Sequence, residues 1–204
     1  MAKKMTVAYA RGSTLYLNIT NRCTNNCVFC IRRTKEGVGY DLWLPKEPSL
    51  QEAVDAIDDP AQYEEIVFCG YGEPLIRIDL VVALAKELKK KGAKQIRINT
   101  NGHANLIHNR SVVPELAECV DVISISLNAQ NAKVYGEVSR PIKFSAEHAY
   151  TAVMEFTREC KKCINRVVLS VVNWPGVDLK ACKRIADEIG TGFRVREFSG
   201  TIVE

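Results

Sequence analysis

Short segments of alternating hydrophobic and polar residues recur along the chain. Between positions 15 and 20, for example, Leu17 and Ile19 fall on one side of the backbone and Asn18 on the other. A period of two is typical of a strand with one buried face. The pattern predicts strands at residues 6–10, 15–20, 65–69, 95–99, 122–127, 166–172 and 193–198. The turn residues Arg11-Gly12-Ser13 join the first two strands into a hairpin.

Between the later strands, apolar residues recur every three or four positions, the spacing of an amphipathic helix. Helices are predicted at residues 50–57, 80–91, 105–119, 131–138, 145–162 and 177–189, with an interruption or restart of the third at Pro114. Ser49 is placed to cap the first helix, and Gly190 to end the last. Regular alternation of strand and helix indicates a parallel sheet with right-handed crossovers.

Several predicted strands carry one polar face. Its members are Asn18 and Thr20, then Gln95, Arg97 and Asn99, then Ser124, Ser126 and Asn128. A polar face favours a concave, solvated interior over a face covered by helices. We therefore expect an α/β fold, a (βα)6 partial TIM barrel preceded by a short hairpin; a doubly wound open sheet is the alternative. Both folds bind ligands at the carboxyl ends of their strands.

A cysteine-rich loop follows the strand at residues 15–20. Cys23, Cys27 and Cys30 have CxxxCxxC spacing within the segment CTNNCVFC. Three thiolates at this spacing can bind three corners of a four-iron cubane, and the fourth iron is then free to bind a small molecule. Zinc also accepts thiolates, but structural zinc favours paired CxxC knuckles. The spacing therefore predicts an iron–sulfur cluster, with a non-catalytic zinc or redox module as the alternative.

A second turn, Gly70-Tyr71-Gly72-Glu73-Pro74, follows the strand at residues 65–69. Glycine lets the backbone approach a ligand closely, and a carboxylate at a strand end can accept hydrogen bonds from an ammonium group. Glu73 and the backbone of Gly72 are therefore candidate ligand-binding groups.

Composition limits the setting of this chemistry. The 204 residues suit one domain spanning residues 1–204, and the net charge of +4 is too small for a dedicated nucleic-acid binder. Eight cysteines, with no apolar region after Met1-Ala2-Lys3-Lys4, predict a reducing, cytoplasmic location. No apolar run approaches membrane-spanning length.

The cysteine loop, with Phe29 before its last cysteine, resembles the CxxxCxΦC signature of the radical SAM superfamily, in which Φ is aromatic. The resemblance implies a [4Fe-4S] cluster whose open iron is chelated by S-adenosylmethionine (SAM), and reductive cleavage of SAM to a 5'-deoxyadenosyl radical. It further implies that Phe29 flanks the adenine and that Gly72 and Glu73, in a GGEP-like turn, bind the SAM amino group. Candidate ligands for the ribose and methionine parts are Asn99, Asn101, Ser126 and Asn128.

The segments YLNITNRCTNNCVFCIR, VFCGYGEPLIR, RINTNGHANLIH and ISISLNAQN together resemble the small TatD-linked radical SAM proteins. This implies a functional link to a TatD-type nuclease and an electron donor such as flavodoxin or ferredoxin. Hydrogen abstraction from an unidentified substrate is the expected reaction, and a reaction like that of 7-carboxy-7-deazaguanine synthase is the alternative.

Other residues leave questions open. Cys160 and Cys163 form a CxxC, with Cys119 or Cys182 as further ligands, but their place near a helix end argues against an auxiliary metal site. Residues 32–48 are irregular and are expected to act as a flap, with Trp43 packed over the cluster or anchoring the loop. A small anionic substrate is expected from a set of basic residues whose orientation the sequence does not fix, namely Arg32, Arg33, Lys35, Arg97, Arg194 and Arg196.

Overall fold

The structure, a computed structural model, describes residues 5–35, 37–198 and 200–202. The amino-terminal residues Met1 to Lys4, which contribute to the predicted cytoplasmic location, lie outside that part. Within it, seven strands form one sheet: β1 (Ala8–Arg11), β2 (Thr14–Leu17), β3 (Glu65–Phe68), β4 (Ile96–Thr100), β5 (Val122–Ser126), β6 (Arg166–Asn173) and β7 (Gly192–Glu197). β1 is antiparallel to β2, and every later strand is parallel to its predecessor.

The described helices are α1 (Leu50–Asp55), α2 (Ile78–Lys90), α3 (Ala104–His108), α4 (Val113–Ala117), α5 (Ala132–Ser139), α6 (Ala146–Cys163) and α7 (Leu179–Ile189), with short 3-10 turns at Ile31–Arg33, Pro60–Gln62 and Pro74–Arg77. Ser49 and Glu52 form the capping box of α1, and Gly190 ends α7 in a left-handed conformation. No helix among these residues is long and apolar enough to cross a membrane.

The helix predicted at residues 105–119 is two helices. α3 ends at Asn109, whose φ of 50° is left-handed, and Pro114 lies in the first turn of α4. Proline is tolerated there because the first-turn amide has no partner within the helix. Pro114 therefore starts a helix and does not interrupt one.

The order of strands in the sheet excludes the doubly wound alternative. The order is β1 to β7 without reversal, whereas a doubly wound sheet reverses at a switch point. Right-handed crossovers that always advance in one direction place all connecting helices on the same face. The other face is free to curve into a concave interior, so the predicted partial barrel is confirmed.

The helix-covered face of the sheet carries the hydrophobic core. Ile98, Ile123 and Leu169 are fully buried there, and α6 packs against β5 and β6 with Val153 and Phe156 buried. Each such side chain contributes about 1.5–3 kcal/mol when it is removed from water. The apolar half of the predicted alternation therefore builds the core, and the polar half faces the interior.

The irregular segment after the cysteine loop is anchored by leucines and not by its tryptophan. Leu42 and Leu44 are buried, whereas the side chain of Trp43 is 58% exposed. Nδ2 of the Asn18 side chain donates to the carbonyl oxygen of Leu42 at 2.8 Å and to that of Thr6 at 3.0 Å. Its Oδ1 accepts from the backbone amide of Tyr71 at 3.3 Å. Trp43 is therefore neither packed over the cysteines nor an anchor, and both expectations for it were wrong.

Replacing Asn18 with alanine should lower the free energy of unfolding by at least about 2 kcal/mol, because each buried polar group left without a partner costs about 1–3 kcal/mol. Urea unfolding measures this change. The matched control is Asn173→Ala, which removes only an exposed hydrogen bond to Glu197 and should change stability by less than about 0.5 kcal/mol. Equal effects of the two substitutions would contradict the role of Asn18.

Candidate functional site

The cysteine loop extends from the carboxyl end of β2 and is hydrogen-bonded to the far side of the barrel mouth. The amide of Val28 donates to the carbonyl oxygen of Val138 at 2.9 Å, and that of Asn26 to the carbonyl oxygen of Ser139 at 3.2 Å. The amide of Ile142 donates back to the carbonyl oxygen of Thr24 at 2.9 Å. The end of α5 and the residues after it therefore fix the path of a loop that has no regular structure.

Two of the three thiols, Cys23 and Cys27, lie in surroundings that disfavour their ionised form. Burial raises the pKa of Cys23 to about 11, with a further contribution from the Glu73 carboxylate. Burial and then the neighbouring Cys23 and Cys30 raise the pKa of Cys27 to about 12. Three clustered thiolates therefore need positive charge between them, and a bound metal centre supplies it.

The arrangement of possible metal ligands separates a cluster from a single ion. Among the described residues, no three histidine, cysteine, aspartate or glutamate side chains are grouped closely enough for one metal ion. A cubane binds one thiolate at each iron corner, so its ligands need not converge on a single point. The donor set of Cys23, Cys27 and Cys30 therefore fits a [4Fe-4S] cluster better than zinc.

A buried hydrogen-bond network supports this loop from below. The hydroxyl of Thr24 lies 2.9 Å from Nδ1 of His103, and Nε2 of His103 lies 2.9 Å from the hydroxyl of Tyr135. Asn101 donates to the Thr24 hydroxyl at 2.8 Å, and Asn25 donates to the Tyr135 hydroxyl at 3.1 Å. All five side chains are buried. The network joins the cysteine loop to the end of β4 and to α5.

Within this network the imidazole of His103 is neutral. Burial lowers the pKa of His103 to about 4. A neutral imidazole has one donor and one acceptor nitrogen, so it can link the two hydroxyls at once. Sequence reasoning missed this role of His103, because its partners are 79 and 32 residues away and carry no local signal.

Asn101 is engaged at both ends of its amide. Besides the bond to Thr24, its Oδ1 accepts from the backbone amide of His103 at 3.0 Å, and its Nδ2 lies 3.9 Å from the sulfur of Cys23. The sequence predicted a SAM ligand at this position. The observed contacts show that Asn101 supports the cysteine loop, and its role as a SAM ligand stays a prediction.

The glycines of the second turn are required by contacts within the protein. A Cβ atom at Gly72 would collide with the carbonyl oxygens of Thr20 and Arg22, and one at Gly70, whose φ is 138°, would collide with Asn18. The sequence interpretation assigned this close approach to a ligand. The turn in fact packs directly on the backbone that leads into the cysteine loop.

Glu73 is buried and accepts three hydrogen bonds within the chain. The donors are the amide of Leu75 at 3.0 Å, the hydroxyl of Thr100 at 2.8 Å and the amide of Asn101 at 2.6 Å. Burial raises the pKa of Glu73 to about 7, and these hydrogen bonds oppose the shift. A carboxylate has about four acceptor positions, so one remains for a ligand.

Among the residues that the structure describes, two buried side-chain amide oxygens have no hydrogen-bond partner, Oδ1 of Asn25 and Oδ1 of Asn128. Asn128 has a left-handed φ of 58°, and its Nδ2 is 3.5 Å from the hydroxyl of Ser139. An unpartnered buried acceptor is costly unless a ligand or water donates to it. The oxygen of Asn128 is therefore free to accept from a hydroxyl or ammonium group of the expected cofactor.

Phe29 belongs to an aromatic group at the barrel mouth. Its ring meets that of Trp174 edge to face at 5.7 Å between centroids, and Trp174 meets Phe198 in the same way at 5.0 Å. Trp174 directly follows β6 and was missed by the sequence reasoning. An aromatic residue just beyond the carboxyl end of a predicted strand was the available signal.

The interior of the barrel is polar, as predicted. A small cavity of about 30 Å³ is lined by Arg97, Asn99, Ser124, Ser126, Ser170, Arg194 and Arg196. Arg97 is paired with Glu65 through two hydrogen bonds, at 3.0 and 2.7 Å. Arg194 and Arg196 have no acidic partner among the described residues, and both side chains are exposed on the open side of the interior. The orientation left open by the sequence is thus inward for all three arginines.

The remaining cysteines form no second centre in the described part of the chain. Cys160, Cys119 and Cys182 are buried in the core, whereas Cys163 is exposed. Burial raises the pKa of Cys160, as expected for a small apolar core residue. Cys160 is therefore a core residue, whereas Cys163 faces solvent, and the absence of a metal site at the CxxC stays a prediction.

Three thiols on a loop at the carboxyl end of a parallel strand, above a polar interior, define an iron–sulfur protein with a partial-barrel fold. The sequence model of the Radical SAM superfamily matches residues 17–189, and the chain belongs to that superfamily. It is therefore a radical SAM enzyme, with a [4Fe-4S] cluster and SAM as its cofactors. A non-catalytic zinc or redox module is thereby excluded.

Curated relatives are similar over part of their length. The chain is 32% identical over 136 residues to the tungsten-containing aldehyde ferredoxin oxidoreductase cofactor-modifying protein of Pyrococcus furiosus, covering 61% of this chain and 34% of that protein. It is 31% identical over 126 residues to GTP 3',8-cyclase of Limosilactobacillus fermentum, covering 61% and 36%. The matched region thus spans about a third of each relative.

Solved structures share the fold at low sequence identity. Methylornithine synthase has a TM-score of 0.63 at 12% identity, over 92% of this chain and 53% of that one. The Streptococcus suis protein SuiB, bound to its precursor peptide SuiA, has a TM-score of 0.62 at 16% identity, over 90% and 39%.

The neutral state of His103 gives stability a pH dependence. Its folded pKa of about 4 lies below the unfolded value of 6.5, so the unfolded chain takes up the proton first. The contribution is present above pH 6.5 and is lost as the pH falls towards 4, by up to about 3 kcal/mol.

The measurement is the difference in free energy of unfolding between the wild type and His103→Gln, from urea titrations at several pH values. The difference should shrink as the pH falls from 7 to 4, because glutamine does not titrate. Other groups, including Glu73, cancel in the difference. A difference independent of pH would show that His103 titrates normally.

Proposed function

We propose that this radical SAM enzyme holds its cluster on Cys23, Cys27 and Cys30 and abstracts hydrogen from a small anionic substrate bound inside the barrel. When bound, the cluster and SAM supply the 5'-deoxyadenosyl radical that removes the hydrogen atom. The observation that carries the proposal is the location of Arg196. This arginine lines the interior cavity and has no acidic partner in the part of the chain that the structure describes. Its charge partly offsets the rise that burial causes in the pKa of Cys27.

We propose that residues at the barrel mouth hold SAM. Phe29 and Trp174 offer apolar ring surfaces for the adenine. The remaining acceptor position of Glu73 suits the SAM ammonium group, and the backbone of Gly72 lies beside it. The polar groups proposed for the ribose and methionine parts are those of Asn99, Asn101, Ser126 and Asn128.

The basic residues of the expected substrate site are not equivalent. Glu65 neutralises Arg97, so this arginine offers little net charge. Arg32 donates to the carbonyl oxygen of Asn21 at 3.1 Å, which ties it to the loop. Arg194 and Arg196 therefore remain the stronger candidates, because an arginine without a partner can bind a carboxylate or phosphate through two hydrogen bonds.

The names of the relatives agree with an anionic substrate. One of them is a GTP 3',8-cyclase, and GTP carries several negative charges. We further propose a cytoplasmic location and a protein electron donor such as flavodoxin or ferredoxin. A functional link to a TatD-type nuclease rests on sequence resemblance.

Replacing Cys23, Cys27 or Cys30 individually with alanine should abolish cluster binding and SAM cleavage, because each thiolate ligates a different iron. Iron and sulfide content, the visible absorption of anaerobically reconstituted protein and deoxyadenosine formation measure the loss. The matched control is Cys163→Ala, an exposed cysteine, which should retain all three. Full iron and sulfide in a loop-cysteine variant would disprove the ligand assignment.

The anionic substrate is tested by adding metabolite fractions, separated by anion exchange, to the reconstituted enzyme. Substrate-dependent deoxyadenosine formation should reside in fractions retained by the column. Arg196→Gln should raise the amount of fraction needed for half-maximal stimulation by about tenfold or more, as expected for the loss of a hydrogen bond between charged groups. The matched control is Arg184→Gln, which changes an exposed arginine of α7. It should leave the amount of fraction needed for half-maximal stimulation and the rate of substrate-free SAM cleavage unchanged. Stimulation by unretained fractions alone would refute an anionic substrate.

A further inference from the structure

A cavity of about 580 Å³ lies at the amino-terminal end of the sheet, opposite the cysteine loop. It is lined by residues at or near the starts of β3 to β7. This volume lies within the range of small-molecule sites, about 300–1,000 Å³. Neither the three loop cysteines nor the proposed SAM ligands line it. It shares Arg97, Ser124 and Arg194 with the smaller interior cavity.

Strand register explains why the cavity exists. Arg166 pairs with Val122, Val168 pairs with Gly192, and Ser170 pairs with Arg194, so these residues form successive layers on the interior face. Gly192 has no side chain, so Val168 and Ser124 are the side chains that this part of the wall contributes to the layer between those of Arg166 and Arg194. A Cβ at Gly192 would already approach Cγ2 of Val168 to 3.2 Å.

The charge of the cavity is strongly one-sided. Arg97 and Glu65, which both line it, neutralise each other at 2.7 Å. Lys161, Arg166 and Arg194 also line it, and none of them has an acidic partner among residues 5–35, 37–198 and 200–202. Their side chains are solvent-exposed, so water and salt screen their mutual repulsion, and an anion can reach them from the open side of the cavity. The amide of Asn165 and the hydroxyl of Ser124 add neutral donors.

We propose that this cavity is a second binding site, for the phosphate group of a small molecule. A tetrahedral oxyanion with two charges can accept from two guanidinium groups and an ammonium group at once, whereas a carboxylate has only two oxygens. The site is separate from the SAM site. It shares Arg194 with the interior substrate site proposed above, whereas Lys161 and Arg166 belong to this cavity and not to that one.

Isothermal titration of the reconstituted holoenzyme at low ionic strength, with pyrophosphate, phosphate and acetate, tests the site. Pyrophosphate should bind most tightly and acetate most weakly. Arg166→Gln and Lys161→Gln should each weaken pyrophosphate binding by about tenfold or more. The matched controls are Arg184→Gln and Lys180→Gln, which change exposed residues of α7 and should alter binding less than about twofold.

Substrate-free SAM cleavage should be unchanged in Arg166→Gln and Lys161→Gln, which separates this site from the proposed reaction. Absence of pyrophosphate binding to the wild type would overturn the proposal. Equal binding by the wild type and both cavity variants would overturn it as well, because the anion would then lie elsewhere.

Discussion

The hydrogen bond between Thr24 and His103 is the constraint on which the cysteine loop depends. The loop has no regular secondary structure, so its shape comes from contacts with other elements. A neutral imidazole below it links Thr24 to Tyr135, and these two residues are bonded in turn to Asn101 and Asn25. Because the network is buried, each lost partner would leave a polar group without compensation. The position of three thiols thus depends on residues that bind no iron.

The rest of the fold supplies the two surfaces that this arrangement needs. Strands in sequential order place every crossover helix on one face, where Ile98, Ile123 and Leu169 are buried. The opposite face can then be polar without burying unpaired groups, because it opens to solvent and ligands. The cysteine loop and the Glu73 turn both lie at the carboxyl ends of adjacent strands, β2 and β3. Sheet geometry therefore brings them together although 50 residues separate Cys23 from Glu73.

Sequence patterns predicted the features that depend on local chemistry. The strands followed from a period of two, the partial barrel from the polar faces, and the thiol set from the spacing of Cys23, Cys27 and Cys30. Contacts distant in sequence were not predictable in this way. Leu42, and not Trp43, anchors its segment, because the side chain of Asn18 donates to the backbone carbonyl of Leu42. Glycine is needed at position 72 because the backbone of Thr20 lies beside it. The helix break at Asn109 was missed because asparagine gives only a weak signal for a left-handed residue.

The strand that carries the two unpaired arginines is also the last strand of the sheet. In the described part of the chain β7 pairs only with β6, and the side chain of Val195 on its outer face is 37% exposed. Edge strands with few partners open locally at lower free energy than central ones. An anion held by Arg194 or Arg196 would therefore contribute directly to the order of this strand. Such a ligand would thus stabilise the ordered state of the strand to which it binds.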